Sequence, residues 1–174
     1  MTVLFAFSSI CGYILGFYNP SLFDMLMASI ALPDSETSFE LALSIFLNNT
    51  KVAGMLVFLG FIFAIIPIMI LFMNGTFIGI IAEYVIYTRG LPFLLVGLLP
   101  HGIIEIPIIL LSAGIGFKIG AGTLQVIFQK KRIRLFLFDF LATAVFFLIF
   151  IVPLLFVAAM VESYVTGFLL EQLF

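Results

Sequence analysis

Most of the chemistry this sequence offers is gathered in one short segment. Leu98-Leu99-Pro100-His101-Gly102-Ile103-Ile104-Glu105-Ile106-Pro107 holds the only histidine, a glutamate and two prolines inside an otherwise apolar stretch. His101 and Glu105 are spaced i, i+4, so on a helix they share one face a turn apart. Such a pair can handle a proton, supply half of a metal site or hold a polar partner. It can equally be a hydrogen-bonded pair that only fixes two helices together. A metal takes typically three or four ligands, and nothing in the spacing demands that Glu83 or Glu162 converge on the pair. No metal site and no cofactor are therefore expected. His-Gly-x-x-Glu is not the His-Glu-x-x-His of zinc proteases, and no Ser/His or paired-Asp arrangement is recognisable. Enzymatic activity is not expected.

The prolines suggest how the segment is built. Pro100 removes a backbone donor and crowds the preceding turn, and Gly102 lets the chain change direction. The expectation is a broken helix at Pro100–Gly102, with Pro107 further along. Half-helix ends of this kind can aim their dipoles at a bound ion or substrate. The plainer alternative is a kink whose freed backbone groups are satisfied by neighbouring helices. Ionisable groups at membrane depth are functional candidates, which makes Pro100, His101, Gly102, Glu105 and Pro107 the first set. Asn48, Asn49, Asn74, Glu83 and Glu162 form a second set. For the asparagines the competing role is capping and turn formation; for the two glutamates it is reaching interfacial water from near the ends of spans.

The composition determines which elements must position these residues. The chain has 174 residues, of which 64% are hydrophobic and 9% charged; its mean hydropathy is +1.38. A soluble domain carries roughly a quarter charged residues. An all-α, polytopic membrane protein follows, with residues 1–174 as a single transmembrane domain and the lipid bilayer as its first partner. The positive residues are too few for a nucleic-acid partner, and Cys11 is the only cysteine, so no intrachain disulfide can form. Met1-Thr2 runs into Val3-Leu4-Phe5 without a positive leader region, which reads as a retained helix rather than a cleaved signal. With no tryptophan among them, the 23 phenylalanines and 5 tyrosines are left to form the interfacial belt.

Charge and turn signals divide the chain into about five transmembrane helices, each near the ~20 residues a bilayer requires, with one or two interfacial helices. Thr2 to Phe17 is the first. Asn19-Pro20 reads as the start of an interfacial helix. Thr37-Ser38-Phe39-Glu40 fits a capping box and predicts a short amphipathic helix up to Asn48-Asn49. The uncharged run Val52–Met73 reads as one span kinked at Pro67, and Asn74-Gly75 as a turn. Gly75–Thr88 and Pro92–Phe117 follow, then Leu135–Met160, then a mildly amphipathic tail. Lys118, Lys130, Lys131, Arg132 and Arg134 place the 118–134 loop in the cytoplasm. The N-terminus is then cytoplasmic and the C-terminus outside. Gly12-x-x-x-Gly16, Gly75-x-x-x-Gly79 and Gly116-x-x-x-Gly120 fit close helix packing, either within the monomer or between the copies of a homodimer.

Several of these strings carry a family resemblance. Asn48-Asn49, Asn74-Gly75-x-x-x-Gly79, Leu99-Pro100-His101-Gly102-Ile103-Ile104-Glu105-Ile106-Pro107, Pro153-Leu154-Leu155 and Ala158-Ala159-x-x-Glu162 together resemble the stage II sporulation protein M family. The resemblance implies a polytopic membrane protein without established catalytic activity. The namesake works in engulfment and is thought to hold two cell-wall-degrading enzymes at the septal membrane. Two readings of function result. The first is a non-enzymatic membrane scaffold or assembly factor that binds other membrane proteins. The second is a small transporter or channel component using an intramembrane His/Glu site at the broken helix, which predicts a polar cavity converging on His101 and Glu105.

Overall fold

A chain this apolar must satisfy its backbone polar groups internally once in lipid, and a helix does so within one segment. A computed structural model describes residues 1–29, 37–129 and 132–173, without the side chains of Met27, Ser29, His101 and Glu171. Among the described residues all regular structure is helical. The helices are α1 (Thr2–Tyr18), α2 (Ser21–Ser29), α3 (Ser38–Phe58), α4 (Ile65–Arg89), α5 (Leu91–Phe128), α6 (Ile133–Phe146), α7 (Val152–Met160) and α8 (Gly167–Leu173). Four segments are long and apolar enough to cross a membrane: Ser38–Phe61, Ile65–Arg89, Gly102–Phe128 and Ile133–Leu170. Thr2–Tyr18 and Leu91–Pro100 are shorter apolar helices. The protein is a multi-pass helical membrane protein. Lys130 and Lys131, two of the charges that assign the 118–134 loop to the cytoplasm, lie outside the described residues.

Local signals set several boundaries as anticipated. Thr37 accepts a hydrogen bond from the Glu40 backbone N–H at 3.2 Å, and the Glu40 carboxylate accepts from the Thr37 N–H at 3.1 Å. The capping box therefore starts α3. Asn19 ends α1 rather than capping α2: its side-chain amide donates to the Leu15 carbonyl at 3.3 Å.

The largest departure from expectation is the run Val52–Met73, which is not one span. It contains the reversal of a helical hairpin. After Phe58 the chain makes one tight 3₁₀ turn over Leu59–Phe61. Phe63 and Ala64 then adopt left-handed backbone, with φ of 50° and 61°. Each such residue without glycine's freedom costs about 1–2 kcal/mol, so packing must hold the turn in place. The packing is close. A Cβ on Gly60 would collide with the Gly116 carbonyl, and a Cβ on Gly120 would meet the Ala64 backbone nitrogen. The turn is pressed onto α5 through glycines. The amphipathic helix expected before Asn49 is therefore the first half of α3. Asn74-Gly75 is no turn either, but lies inside α4. Its Asn74 amide donates to the Ile70 carbonyl at 2.8 Å.

The break expected at Pro100–Gly102 is likewise not an interruption. Helix α5 is helical from Leu91 to Phe128 with Pro100 and Pro107 inside it, and Gly102 is not among the positive-φ residues. A proline deletes one hydrogen bond, and a packed bundle can tolerate that at membrane depth. The last segment does widen, at Phe147–Ile151 and at Val161–Thr166, where the backbone takes π-helical turns. In the first, the Val152 N–H reaches back to the Phe147 carbonyl, and the next residue, Pro153, has no N–H to offer the normal ladder. The helical path runs on past Met160, so the expected separate tail is the continuation of this segment.

Lipid tails are as apolar as leucine, so burial alone does not drive these helices together; close packing does. Helix α1 lies along α4 in the same direction. A Cβ on Gly12 would strike the Thr76 carbonyl, one on Gly79 the Ser9 carbonyl, and one on Gly75 the Ser8 hydroxyl. The three glycine motifs are used within the monomer. Leu56, Leu71, Ile151 and Leu155 are fully buried where α3, α4, α7 and the adjoining π turn meet α5.

Candidate functional site

The hairpin turn determines how the site is assembled. Helix α3 runs parallel to α5, with Asn49 beside Glu105 and Leu56 beside Gly116. Helix α4 runs antiparallel to α5, from the Pro67–Gly116 contact to the turn at Gly90. Along that pair Asn74 falls at the level of Glu105. Polar side chains from α3, α4 and α5 are therefore brought to one depth, although they lie far apart in the sequence.

They meet at a cavity of about 480 Å³. Helix α3 contributes Ile45, Asn48 and Asn49; α4 contributes Asn74, Phe77, Ile78, Ile81 and Val85. Helix α5 supplies the face from Phe93 to Ile106, including Gly97, Gly102 and Glu105. The second π turn supplies Glu162. π turns occur often at functional sites, and here one carries Glu162, the only charged side chain among the described residues that the last membrane segment brings to the cavity.

Hydrogen bonding constrains what the polar end of the cavity can do. The Asn49 side chain hydrogen-bonds Glu105, and Glu162 is near enough to Glu105 for their charges to act on each other. Asn74 has already committed an amide N–H to the Ile70 carbonyl. Both carboxylates are half-buried. The remaining wall is aliphatic and aromatic. The cavity thus has an acceptor-rich end and apolar sides, the usual make-up of a site for a small ligand.

Of the residues singled out from sequence, Asn48, Asn49, Asn74, Gly102, Glu105 and Glu162 come together here. Glu83 does not; its side chain lies against Gly16 of α1. Pro100 and Pro107 are within α5 but are not lining residues, and Pro107 is exposed. The side chain of His101 lies outside the described residues. The apolar lining was missed, although a signal existed. Ile45, Asn48 and Asn49 fall at helical spacing, as do Asn74, Ile78, Ile81 and Val85, and each set marks one face. Placing a false turn at Asn74-Gly75 concealed the second face. A smaller tie was not legible at all: the Ser163 hydroxyl, beside Glu162, donates to the Ser38 carbonyl at the start of α3.

Comparison with known proteins gives the same lineage as the sequence strings. The family model of Stage II sporulation protein M matches residues 1–167. Uncharacterized protein MJ0793 of Methanocaldococcus jannaschii is 31% identical over 162 residues, which cover 89% of this chain and 87% of that protein. No solved structure matches. With the family model spanning nearly the whole chain, and with the strings around Asn49, Asn74, Glu105 and Glu162 meeting in one cavity, this chain belongs to the Stage II sporulation protein M family.

Proposed function

We propose that the protein is a small membrane transporter or channel component whose cavity receives a polar solute. The observation that carries this reading is the convergence of Glu105, Glu162, Asn48, Asn49 and Asn74, from three helices and a π turn, on one cavity of about 480 Å³. Carboxyl and amide groups are costly at membrane depth. Asn49, Glu105 and Asn74 are hydrogen-bonded within the protein, but all five residues also line open space. The role is non-enzymatic: the carboxylates bind and do not react. Lys118, Arg132 and Arg134, on the α5–α6 side, support a cytoplasmic 118–134 loop and N-terminus, and a C-terminus outside. The wall that runs from Glu105 towards the Gly90 turn would then face the outer half of the bilayer.

The scaffold reading is favoured by a different observation. Helix α6 has no buried residue, which leaves a full helical face for other membrane proteins or a second copy. The two readings separate in reconstituted liposomes. A flux panel of inorganic cations, amino acids and amines should show at least one solute moved by wild type. That flux should be lost in Glu105→Gln while the thermal unfolding profile persists. Absence of flux for every solute, together with a stoichiometric membrane partner captured by wild type and lost in Glu105→Gln, would favour the scaffold instead.

A further inference from the structure

We infer that the cavity takes an organic cation: a protonated amine carried on a compact apolar body. The inference rests on the solute-binding reading above and adds the ligand class.

The first argument is the balance of donors and acceptors. An ionised carboxylate is acceptor-only, and an ammonium group is donor-only with three N–H bonds to place. Glu105 and Glu162 supply the carboxylates. Asn49 turns a side-chain hydrogen bond to Glu105, and Asn74 turns one amide N–H to the Ile70 carbonyl. Each of these amides keeps a second N–H and a carbonyl oxygen, and Asn48 adds one more amide to the lining. With two carboxyl groups added to three amide carbonyls, acceptor oxygens outnumber the amide N–H groups left over, which suits a ligand rich in donors. Among the described lining residues none is cationic. Arg89 stacks over the Phe93 ring, 5.4 Å from its centroid, but is exposed and does not line the cavity. An anionic solute would face two carboxyl groups and, among the described lining residues, no cationic side chain.

The second argument is the rest of the wall. Phe77, Ile78, Ile81, Leu94, Leu98 and Ile106 are apolar. A bare inorganic cation would use the oxygens and leave these side chains facing water. A sugar would meet too few polar partners. An amine with a hydrocarbon or aromatic body uses both parts, and the rings of Phe77 and Phe93 add aromatic surface, which favours cations. A volume of about 480 Å³ falls within the range of small-molecule sites.

The test is saturable binding of tritiated phenethylamine to the full chain in lipid nanodiscs, with empty nanodiscs as background. Unlabelled phenethylamine should compete, whereas 2-phenylethanol, 3-phenylpropionate and sodium chloride should not. Glu105→Gln and Glu162→Gln should each weaken binding by about tenfold or more, the usual consequence of losing a charge-assisted hydrogen bond. Gly97→Leu keeps both carboxylates and fills the cavity. A Cβ at Gly97 meets only Leu170 Cδ1, at 4.0 Å, so this variant should fold and lose binding. If 2-phenylethanol or 3-phenylpropionate competes as well as the amine, the ligand class is overturned and the cavity reading survives. If amine binding is unchanged in Glu105→Gln and Glu162→Gln, the inference fails because the amine sits elsewhere. No saturable binding of any probe to folded wild type also overturns it, and the flux panel then decides the solute-binding reading independently.

Discussion

Asn49 on α3 and Glu105 on α5 hydrogen-bond across a helix interface, joining the paired asparagines to the proline-flanked glutamate. Replacing the amide by an isosteric hydrocarbon, Asn49→Leu, should leave the half-buried carboxylate without this partner. A lost hydrogen bond to a charged group costs about 1.5–3 kcal/mol, so the thermal midpoint in detergent should fall. Glu105→Gln in the Asn49→Leu background should then cost less than in wild type, because the two side chains share one interaction. Additive losses in this double-mutant cycle would show that the pair is not coupled.

The α1–α4 seam gives a steric prediction. Gly79→Leu drives a side chain into the Ser9 carbonyl and the Tyr13 backbone nitrogen. Overpacking of this kind costs about 1–3 kcal/mol, and here the obstruction is backbone and cannot rotate away. Thermal unfolding should show the loss, whereas Gly114→Ala, where an added Cβ meets nothing within 4 Å, should be neutral or slightly stabilising. Equal behaviour of the two variants would mean that the seam does not hold the bundle.

Much of this architecture could be read from residue types. The capping box at Thr37 and Glu40 and the first helix each follow from local chemistry, and local chemistry is where sequence reasoning is strongest. The glycine motifs were equally visible, but which helix each one meets depends on tertiary packing. The hairpin turn was not legible because its left-handed residues, Phe63 and Ala64, are residue types that disfavour that conformation. Contacts with Gly116 and Gly120, far along the chain, make it tolerable. Missing that turn placed Asn74 at a loop edge instead of in the cavity wall. Reading a break at Pro100 gave too much weight to one lost hydrogen bond in a helix supported on several sides. Glu162 was visible as a charge, but only the π turn that carries it explains how it faces Glu105 rather than interfacial water.

The same turn predicts an unusual stabilising substitution. Ala64→Gly relieves a left-handed alanine that costs about 1–2 kcal/mol, offset in part by the extra freedom glycine has in the unfolded chain. Ala64 is 3% exposed, so the lost methyl sets a further limit on the gain. A net rise in thermal midpoint corresponding to about 0.5–1 kcal/mol is expected. Gly60→Ala at the same turn should do the opposite, because its methyl would meet the Gly116 carbonyl. If Ala64→Gly lowers the midpoint, packing of the methyl outweighs backbone strain.

The start of α3 links stability to the site. Thr37 and Glu40 satisfy each other's backbone N–H groups, and Ser163 ties the same end to the π turn beside Glu162. Thr37→Ala removes the side-chain cap, at a cost of about 0.5–2 kcal/mol, whereas Thr37→Ser retains an oxygen there. The exposed first turn should fray first, which amide hydrogen exchange would detect as lost protection confined to the beginning of α3. Ile45, Asn48 and Asn49 lie on the next turns of the same helix and line the cavity. Thr37→Ala should therefore weaken ligand binding modestly without touching a lining residue, and Thr37→Ser should restore it. Ser163→Ala should loosen the same end from the other side. If α3 frays in these variants while binding is unchanged, the cavity wall is held by α5 alone and the Asn49–Glu105 contact suffices to fix it.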